Sequence, residues 1–211
     1  MDLLPFNSVH VDLVDTDDPE AWAQHEAYRA LMSPDEHERM ARLVFDRDRR
    51  CFLLTRALVR TTLSRYAAVP PAEWAFIANA HGRPEILDRR PGVPDLRFNL
   101  SHTDGLIACA ITIGREVGVD VEHIQRRLTH DVASRFFAPR EISDLKALAE
   151  DEQQRVFFDY WTLKEAYIKA RGFGLALPLA DFAFTLAPQA PPRIAFEPAL
   201  QDNPDTWQFA Q

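Results

Sequence analysis

Hydrophobic and polar positions along this chain follow two periods, and the period predicts which element each stretch forms. Residues 8–14 alternate apolar and polar side chains, which predicts a strand. Further strands are predicted at 74–78, 96–100, 106–113, 117–122 and 181–186. The stretch 106–113 is almost wholly apolar and should be buried, and the turn 114–116 should join it to 117–122 as a hairpin.

Helical stretches are recognised by their periodicity and by their start and stop signals. Helices are predicted over 19–31, from 33, over 47–67, from 138 and over 157–171. Ser33 and Glu36 form a capping-box pattern around Pro34 at the second of these starts. Gly172, followed by Gly174, ends the last helix.

These elements nearly repeat along the chain. The helix start at Pro34 and Glu36 matches Pro139 and Glu141 at an offset of 105 positions, and a long helix and a strand follow in both copies. We therefore predict an α+β fold, a pseudo-dimer of two similar halves (1–103 and 104–211) in which a small antiparallel sheet packs on a long helix. A ligand cleft should lie between the halves. The alternative is a chance match between two common helix starts.

Composition and charge limit the classes of function. Hydrophobic residues make up 46% of the chain, enough for a substantial core, and the formal charge of −8 argues against nucleic-acid binding. Cys51 and Cys109 lie in apolar runs and are interpreted as reduced thiols of a cytoplasmic protein. No signal peptide is recognised, and no stretch approaches the roughly 20 apolar residues of a membrane span. The last residues, 206–211, resemble a strand without a partner, so further residues are expected beyond them.

Lysine is rare, with three against 21 arginines, and two of the three lie on the helix 157–171. Trp161, Glu165 and Lys169 are spaced by four and should share one helix face. An ordinary salt bridge between Glu165 and Lys169, worth about 0.2–0.5 kcal/mol, is one interpretation. The aromatic surroundings favour a covered, functional face instead. Lys164 lies on another stripe, where it could contact a second phosphate or pack in the core.

Two further patterns offer ligands for ions. On a strand, Asp120 and Glu122 would point to one face and could bind a hard cation, although a solvated acidic face is the simpler interpretation. Ser101 and His102, with Asn99, end a strand just before a turn and could hold an anion, whereas an ordinary polar turn is the alternative.

Arginines are concentrated in one region of the first half. The run comprises Arg39, Arg42, Arg47, Arg49, Arg50, Arg56, Arg60 and Arg65. Most should form a solvated helix face, and one or two could bind a phosphate as a bidentate fork.

Three motifs together resemble a known family. FNLSH, GVDVE and WTLKEAYIKARGFGL occur in the order found in the surfactin-type 4′-phosphopantetheinyl transferases, in the branch with W-x-x-K-E-A, and the resemblance spans residues 39–186. It implies a two-half α+β fold and Mg²⁺-dependent transfer of 4′-phosphopantetheine from coenzyme A to a serine of an acyl or peptidyl carrier protein. Adenosine 3′,5′-bisphosphate would be released. The alternatives are a coenzyme A or nucleotide-binding module without turnover, and a structural protein whose acids form salt bridges.

The resemblance also implies roles for individual residues. The magnesium ligands would be Asp120, Glu122 and Glu165. The residues that bind coenzyme A would be Arg39, Arg42, Arg83, Ser101, His102, Asp120 and Lys169. Glu165 and Lys169 would be catalytic: Glu165 would remove the serine proton, directly or through a metal-bound water, and Lys169 would stabilise the bridging or leaving phosphate oxygen. Arg83 stands where the family often has the lysine of G-K-P, so its contact is the least defined by the motif. Because both halves lie in one chain, we expect a monomer.

Overall fold

The structure, a computed structural model, describes residues 2–87, 90–125 and 131–211. Its α-helices are α1 (Pro19–Ala23), α2 (His25–Arg29), α3 (Pro34–Ala41), α4 (Asp46–Tyr66), α5 (Asp131–Phe136), α6 (Pro139–Ala147) and α7 (Glu150–Arg171). Its strands are β1 (His10–Asp15), β2 (Phe76–Ala78), β3 (Pro84–Ile86), β4 (Leu96–Thr103), β5 (Leu106–Ile113), β6 (Phe182–Ala187) and β7 (Ala190–Phe196).

The first half is a three-stranded antiparallel sheet packed on α4. The strand order is β1-β5-β4, so β5 lies in the centre, as its apolar sequence predicts. Its alternate residues Cys109 and Ile111 face α4, where they meet Val59 and Leu63 in one buried cluster. Strands β2 and β3 form a separate hairpin beside this sheet.

The second half is built on α7. Helix α6 and the hairpin of β6 and β7 pack around it through an aromatic core. Tyr167 contacts Phe182 and Trp207, with ring centroids 4.7 and 5.0 Å away. Aromatic density in the sequence of α7 therefore mainly fills this core.

Each half contains a buried ion pair at an equivalent place. Glu36, in the first turn of α3, accepts a hydrogen bond of 2.8 Å from Arg60, and Glu141, in the first turn of α6, lies 2.8 Å from Lys164. Arg60 and Lys164 are each the fifteenth residue of their helices. The predicted α+β class with two similar halves is confirmed. Strands β4 and β5 pair along their full length as one hairpin. The predicted boundary between the two halves, after residue 103, falls inside this hairpin and stays a prediction.

Several predicted elements differ in the structure. Segment 117–122 forms no strand ladder, residues 19–31 form two short helices separated at Gln24, and 207–211 carry no strand. Strands β3 and β7 and helix α5 were not predicted. Cys51 and Cys109 are free thiols, with Cys109 buried and Cys51 partly so. Among the described residues, no helix is long and apolar enough to cross a membrane.

Candidate active site

The segment 117–122 lies along the end of β4, held by side chains instead of a backbone ladder. Asn99 Oδ1 accepts from the amide of Val119 at 3.0 Å, and Ser101 Oγ accepts from the amide of Val121 at 3.3 Å. Asp120 therefore lies between two anchored residues, Val119 and Val121. The predicted hairpin of 106–113 with 117–122 is wrong because both edges of β5 are already paired, one with β1 and the other with β4.

Gly118 allows this segment to approach α7 closely. A Cβ atom at position 118 would lie 1.8 Å from the carbonyl oxygen of Ala166, a separation that no side chain can adopt. The absence of a side chain therefore brings the backbone of 117–122 against the helix that carries Glu165 and Lys169. Close packing therefore requires the glycine of the GVDVE motif, which the sequence pattern alone does not indicate.

Lys169 is the centre of a compact polar cluster. Its Nζ atom lies 2.6 Å from Asp120 Oδ1, 2.8 Å from Ser101 Oγ and 3.3 Å from the carbonyl oxygen of Val119. Ser101 in turn donates to Asp120 Oδ1 at 2.9 Å. The structure thus brings together residues from β4, the 117–122 segment and α7. Lys169 makes this ion pair with Asp120, and not the i,i+4 pair with Glu165 that was the alternative interpretation of the sequence.

Glu122 and Glu165 lie beside this cluster. Glu122 Oε1 accepts from the indole N–H of Trp161 at 3.0 Å, so the α7 face of Trp161, Glu165 and Lys169 lies toward the acidic segment. Burial raises the pKa of the Glu165 carboxyl, and the charge of Asp120 raises it further, while the Lys169 ammonium lowers it. The charge of Glu122 also raises it. The two neighbouring carboxylates thus disfavour the charged form of Glu165.

The donor set is suitable for a hard cation, although its side chains do not yet form a ligand cage. No group of three or more His, Cys, Asp or Glu residues within 2–87, 90–125 and 131–211 is arranged to hold a metal. Asp120 Oδ2 is nevertheless buried without a hydrogen-bond partner in the described part of the chain. A buried carboxylate oxygen without a partner is costly, and a cation would satisfy it. The magnesium site of Asp120, Glu122 and Glu165 stays a prediction. The carboxylate oxygens present are of the kind that Mg²⁺ binds.

A large cleft of about 1470 Å³ opens on the other side of the β4 end. Within the part of the chain that the structure describes, six arginines line it: Arg29, Arg39, Arg47, Arg49, Arg50 and Arg56. Phe52 lies between two of them, with the guanidinium carbons of Arg39 and Arg56 at 5.7 and 5.2 Å from its ring centroid. The Nε atom of Arg56 is buried without a partner among the described residues. Against these arginines the described lining carries four aspartates, Asp17, Asp46, Asp48 and Asp104, so the cleft keeps an excess of positive charge that suits an anionic ligand.

The predicted anion-binding residues divide between these two places. Ser101 is buried and faces Lys169, whereas His102 is exposed and lines the arginine cleft, because neighbouring residues of a strand point to opposite faces. Arg39 lines the cleft as well. Arg42 is exposed, pairs with Glu38 at 3.2 Å and is not among the lining residues. Arg83 is not among the lining residues, although its neighbour Pro84 is, and it contacts the last turn of α7, which also carries Lys169.

Lys164 is separate from the site despite its position one residue before Glu165. Its side chain is fully buried, and its Nζ donates to the carbonyl oxygens of Leu179 and Phe182 at 2.8 and 2.6 Å. Burial lowers the pKa of Lys164, an effect that the carboxylate of Glu141 opposes. Of the two interpretations of Lys164, the structure supports core packing.

Comparison with known proteins identifies two related segments. Residues 116–210 match a family model described as the 4′-phosphopantetheinyl transferase superfamily, and residues 19–113 match one described as 4′-phosphopantetheinyl transferase, N-terminal. The two matches divide the chain just after β5.

Individual relatives are similar over most of the chain. It is 38% identical to the 4′-phosphopantetheinyl transferase HetI of Nostoc sp. (strain PCC 7120), with 92% of this chain and 80% of that protein covered. It is 34% identical to the 4′-phosphopantetheinyl transferase Sfp of Bacillus subtilis (strain 168), covering 81% and 73%. The 4′-phosphopantetheinyl transferase gsp of Aneurinibacillus migulanus is 33% identical, covering 72% and 60%.

Proposed function

Since the chain belongs to the 4′-phosphopantetheinyl transferase superfamily, a family of transferase enzymes, we propose that it transfers 4′-phosphopantetheine from coenzyme A to a serine of an acyl or peptidyl carrier protein. Adenosine 3′,5′-bisphosphate is the second product. The observation that carries this proposal is the contact of Lys169 with Asp120 and Ser101 next to an arginine-lined cleft. Lys169 would offer a cation to the diphosphate of coenzyme A, and the arginine-lined cleft would take its remaining phosphate.

Coenzyme A is long enough to use both places. Its phosphorylated nucleoside end occupies the arginine cleft, with Arg39 and His102 as contacts, and its diphosphate passes around the end of β4 toward Ser101 and Lys169. The segment that carries Asp120 and Glu122 continues directly into cleft-lining His123, which keeps the two places adjacent.

The chemical step requires a proton acceptor and compensation of negative charge. The carrier serine hydroxyl gives its proton to the Glu165 carboxylate as its oxygen bonds to the phosphorus of the phosphopantetheine group. The bond from that phosphorus to the bridging oxygen breaks, and the electron pair leaves with adenosine 3′,5′-bisphosphate. Lys169, 28% exposed, can turn toward this leaving oxygen and stabilise its charge. Its contact with Ser101 positions it before the substrate arrives.

Asp120, Glu122 and Glu165 would hold Mg²⁺. When bound, the ion would reduce the charge repulsion between the diphosphate and its surroundings. The unpartnered Oδ2 of Asp120 supports this assignment. Three further points stay predictions: the contacts of Arg42 and Arg83 with coenzyme A, the cytoplasmic location and the monomeric state. The two free thiols agree with a reducing compartment.

Intact-mass spectrometry of an apo carrier protein tests the proposal. The carrier is incubated with this protein, coenzyme A and Mg²⁺, and a matched carrier lacks the acceptor serine. We expect the mass of one phosphopantetheine group to appear on the first carrier only. If several apo carriers, including the fatty-acid and peptidyl types, stay unmodified while the protein binds coenzyme A, a binding module without turnover replaces the proposal.

A further inference from the structure

The loop 79–83 joins β2 to β3 in the first half and reaches across to the end of α7 in the second. Arg83 Nη1 donates to the carbonyl oxygen of Ala170 at 2.5 Å, and Asn79 Nδ2 donates to that of Gly172 at 3.0 Å. Carbonyl groups in the last turn of a helix have no partner within the helix. Residues of one half therefore cap the principal helix of the other.

Four of the five N–H donors of the Arg83 guanidinium are engaged by described residues of the protein itself. Besides Ala170, Arg83 donates to Glu116 at 2.6 Å and to Glu85 at 2.9 Å, and its side chain is only 17% exposed. A phosphate would have to displace a carboxylate and approach two negative charges, which is electrostatically unfavourable. Most of the hydrogen-bonding capacity of Arg83 is therefore used within the protein.

Hydrogen bonds within the loop 79–83 fix the backbone around Arg83. Asn79 Oδ1 accepts from the backbone amides of His81 and Arg83, and the amide of Asn79 donates to the carbonyl oxygen of Arg83 at 2.9 Å. Gly82 adopts φ +86°, a conformation that favours glycine. The position of the guanidinium is therefore set before any ligand binds.

Both elements that form the active site are tied to this one side chain. Ala170 directly follows Lys169 on α7, and Glu116 directly precedes the segment that carries Asp120. We propose that Arg83 is a positioning residue that holds α7 and the 116–122 segment in register, so that Lys169 meets Asp120 and Ser101. The expected effect of Arg83 on kcat rests on the proposed transferase function. Its expected effect on the stability of the end of α7 does not.

The variants Arg83→Gln and Arg83→Lys test this role, and Arg97→Gln is the control. Arg97 is a cation of the same charged cluster, 3.9 Å from Glu116, and no described contact links it to α7. With coenzyme A varied in a carrier-modification assay, we expect Arg83→Gln to lower kcat about tenfold or more, with little change in KM for coenzyme A, since a reacting group is misplaced. Arg83→Lys, which keeps one donor, should recover part of kcat, and Arg97→Gln should resemble the wild type.

Hydrogen exchange of the ligand-free proteins gives a readout independent of activity. The backbone amides of 168–172 should exchange about tenfold faster in Arg83→Gln than in the wild type or in Arg97→Gln, because the helix end loses a charge-assisted hydrogen bond. Circular dichroism verifies that each variant folds. An increased KM with unchanged kcat and unchanged exchange would make Arg83 a coenzyme A ligand and overturn the proposal. If the wild type transfers nothing, the proposed function fails, and unchanged exchange alone would then overturn the positioning role.

Discussion

The ammonium of Lys169 lies 2.6 Å from Oδ1 of Asp120, a residue 49 positions earlier in the chain. This contact connects the last turns of α7 to a segment without regular secondary structure. It depends on Gly118, which lets the two backbones approach, and on Ser101, which donates to the same carboxylate oxygen. The candidate active site is therefore held by packing and by side-chain hydrogen bonds, and each of these contacts can be tested.

The two lysines of α7 should respond differently to replacement by methionine. Lys164→Met leaves Glu141 charged and fully buried without its partner, and should reduce the free energy of unfolding by about 3–5 kcal/mol. Lys169→Met should reduce it less, because that pair is partly exposed and screened by water, but should abolish most transfer. Urea unfolding and the carrier assay measure these effects. A Lys164→Met protein as stable as the wild type but inactive would place Lys164 in the active site.

Gly118→Ala should disrupt the site by steric overlap. The added Cβ would meet the carbonyl oxygen of Ala166 at 1.8 Å, so the segment must move away from α7, at a cost of about 1–3 kcal/mol or more in stability and with loss of transfer. Gly92→Ala is the control, since its surroundings are open and only its backbone conformation is strained. Thermal unfolding and the carrier assay compare the two variants. Normal activity in Gly118→Ala would mean that this close approach is not required.

Glu165→Gln should be less active yet more stable than the wild type when no divalent metal is present. The folded-state pKa of Glu165 is raised, so its ionised form destabilises the folded protein at pH values above that pKa. The stability advantage of the variant should therefore increase as pH rises from the ordinary pKa of glutamate through the raised value, and disappear below both. Urea titrations across this range measure it. Transfer should fall about 100-fold or more for loss of a general base, and a variant that transfers normally would exclude Glu165 as the proton acceptor.

Arg39→Gln should weaken binding of coenzyme A through the arginine cleft. Loss of one charge-assisted hydrogen bond to a phosphate should raise KM about tenfold. Arg155→Gln is the charge-matched control, because Arg155 is exposed on α7 and pairs with Asp159 at 2.9 Å. Kinetics with dephospho-coenzyme A identify the phosphate concerned: if Arg39 contacts the 3′-phosphate, the variant and the wild type should use this analogue equally well. An equal loss with both substrates would assign Arg39 to another part of the molecule.

Local patterns predicted most elements of the fold because their causes are local. The capping box at Ser33 is present, β5 is buried as its apolar run requires, and α7 ends at Gly172 in the left-handed conformation. The segment 117–122 was predicted wrongly because its alternation of valine and acid indicates a strand. Its hydrogen-bond partners are the side chains of Asn99 and Ser101, which no local pattern could identify.

Residues of the candidate site were predicted from motifs, but their arrangement was not. Spacing on α7 placed Trp161 and Lys169 on one face, and both contact the acidic segment. Ser101 and His102 were not separated because the predicted strand ended at residue 100, whereas β4 continues to Thr103 and places them on opposite faces. The partners of Arg83 come from other elements of the chain, so a phosphate contact and a helix cap are equally compatible with its motif.

The most direct test of the account is whether the acids around Lys169 form one divalent-cation site in the presence of coenzyme A. Electron paramagnetic resonance of Mn²⁺, titrated as a spectroscopic substitute for Mg²⁺, measures binding without relying on turnover. We predict one bound ion in the wild type and in Asp104→Asn, an exposed acid at the edge of the cleft, and about tenfold or more weaker binding in Asp120→Asn, which lacks a charged ligand. Equal Mn²⁺ binding by Asp120→Asn and the wild type would contradict the account.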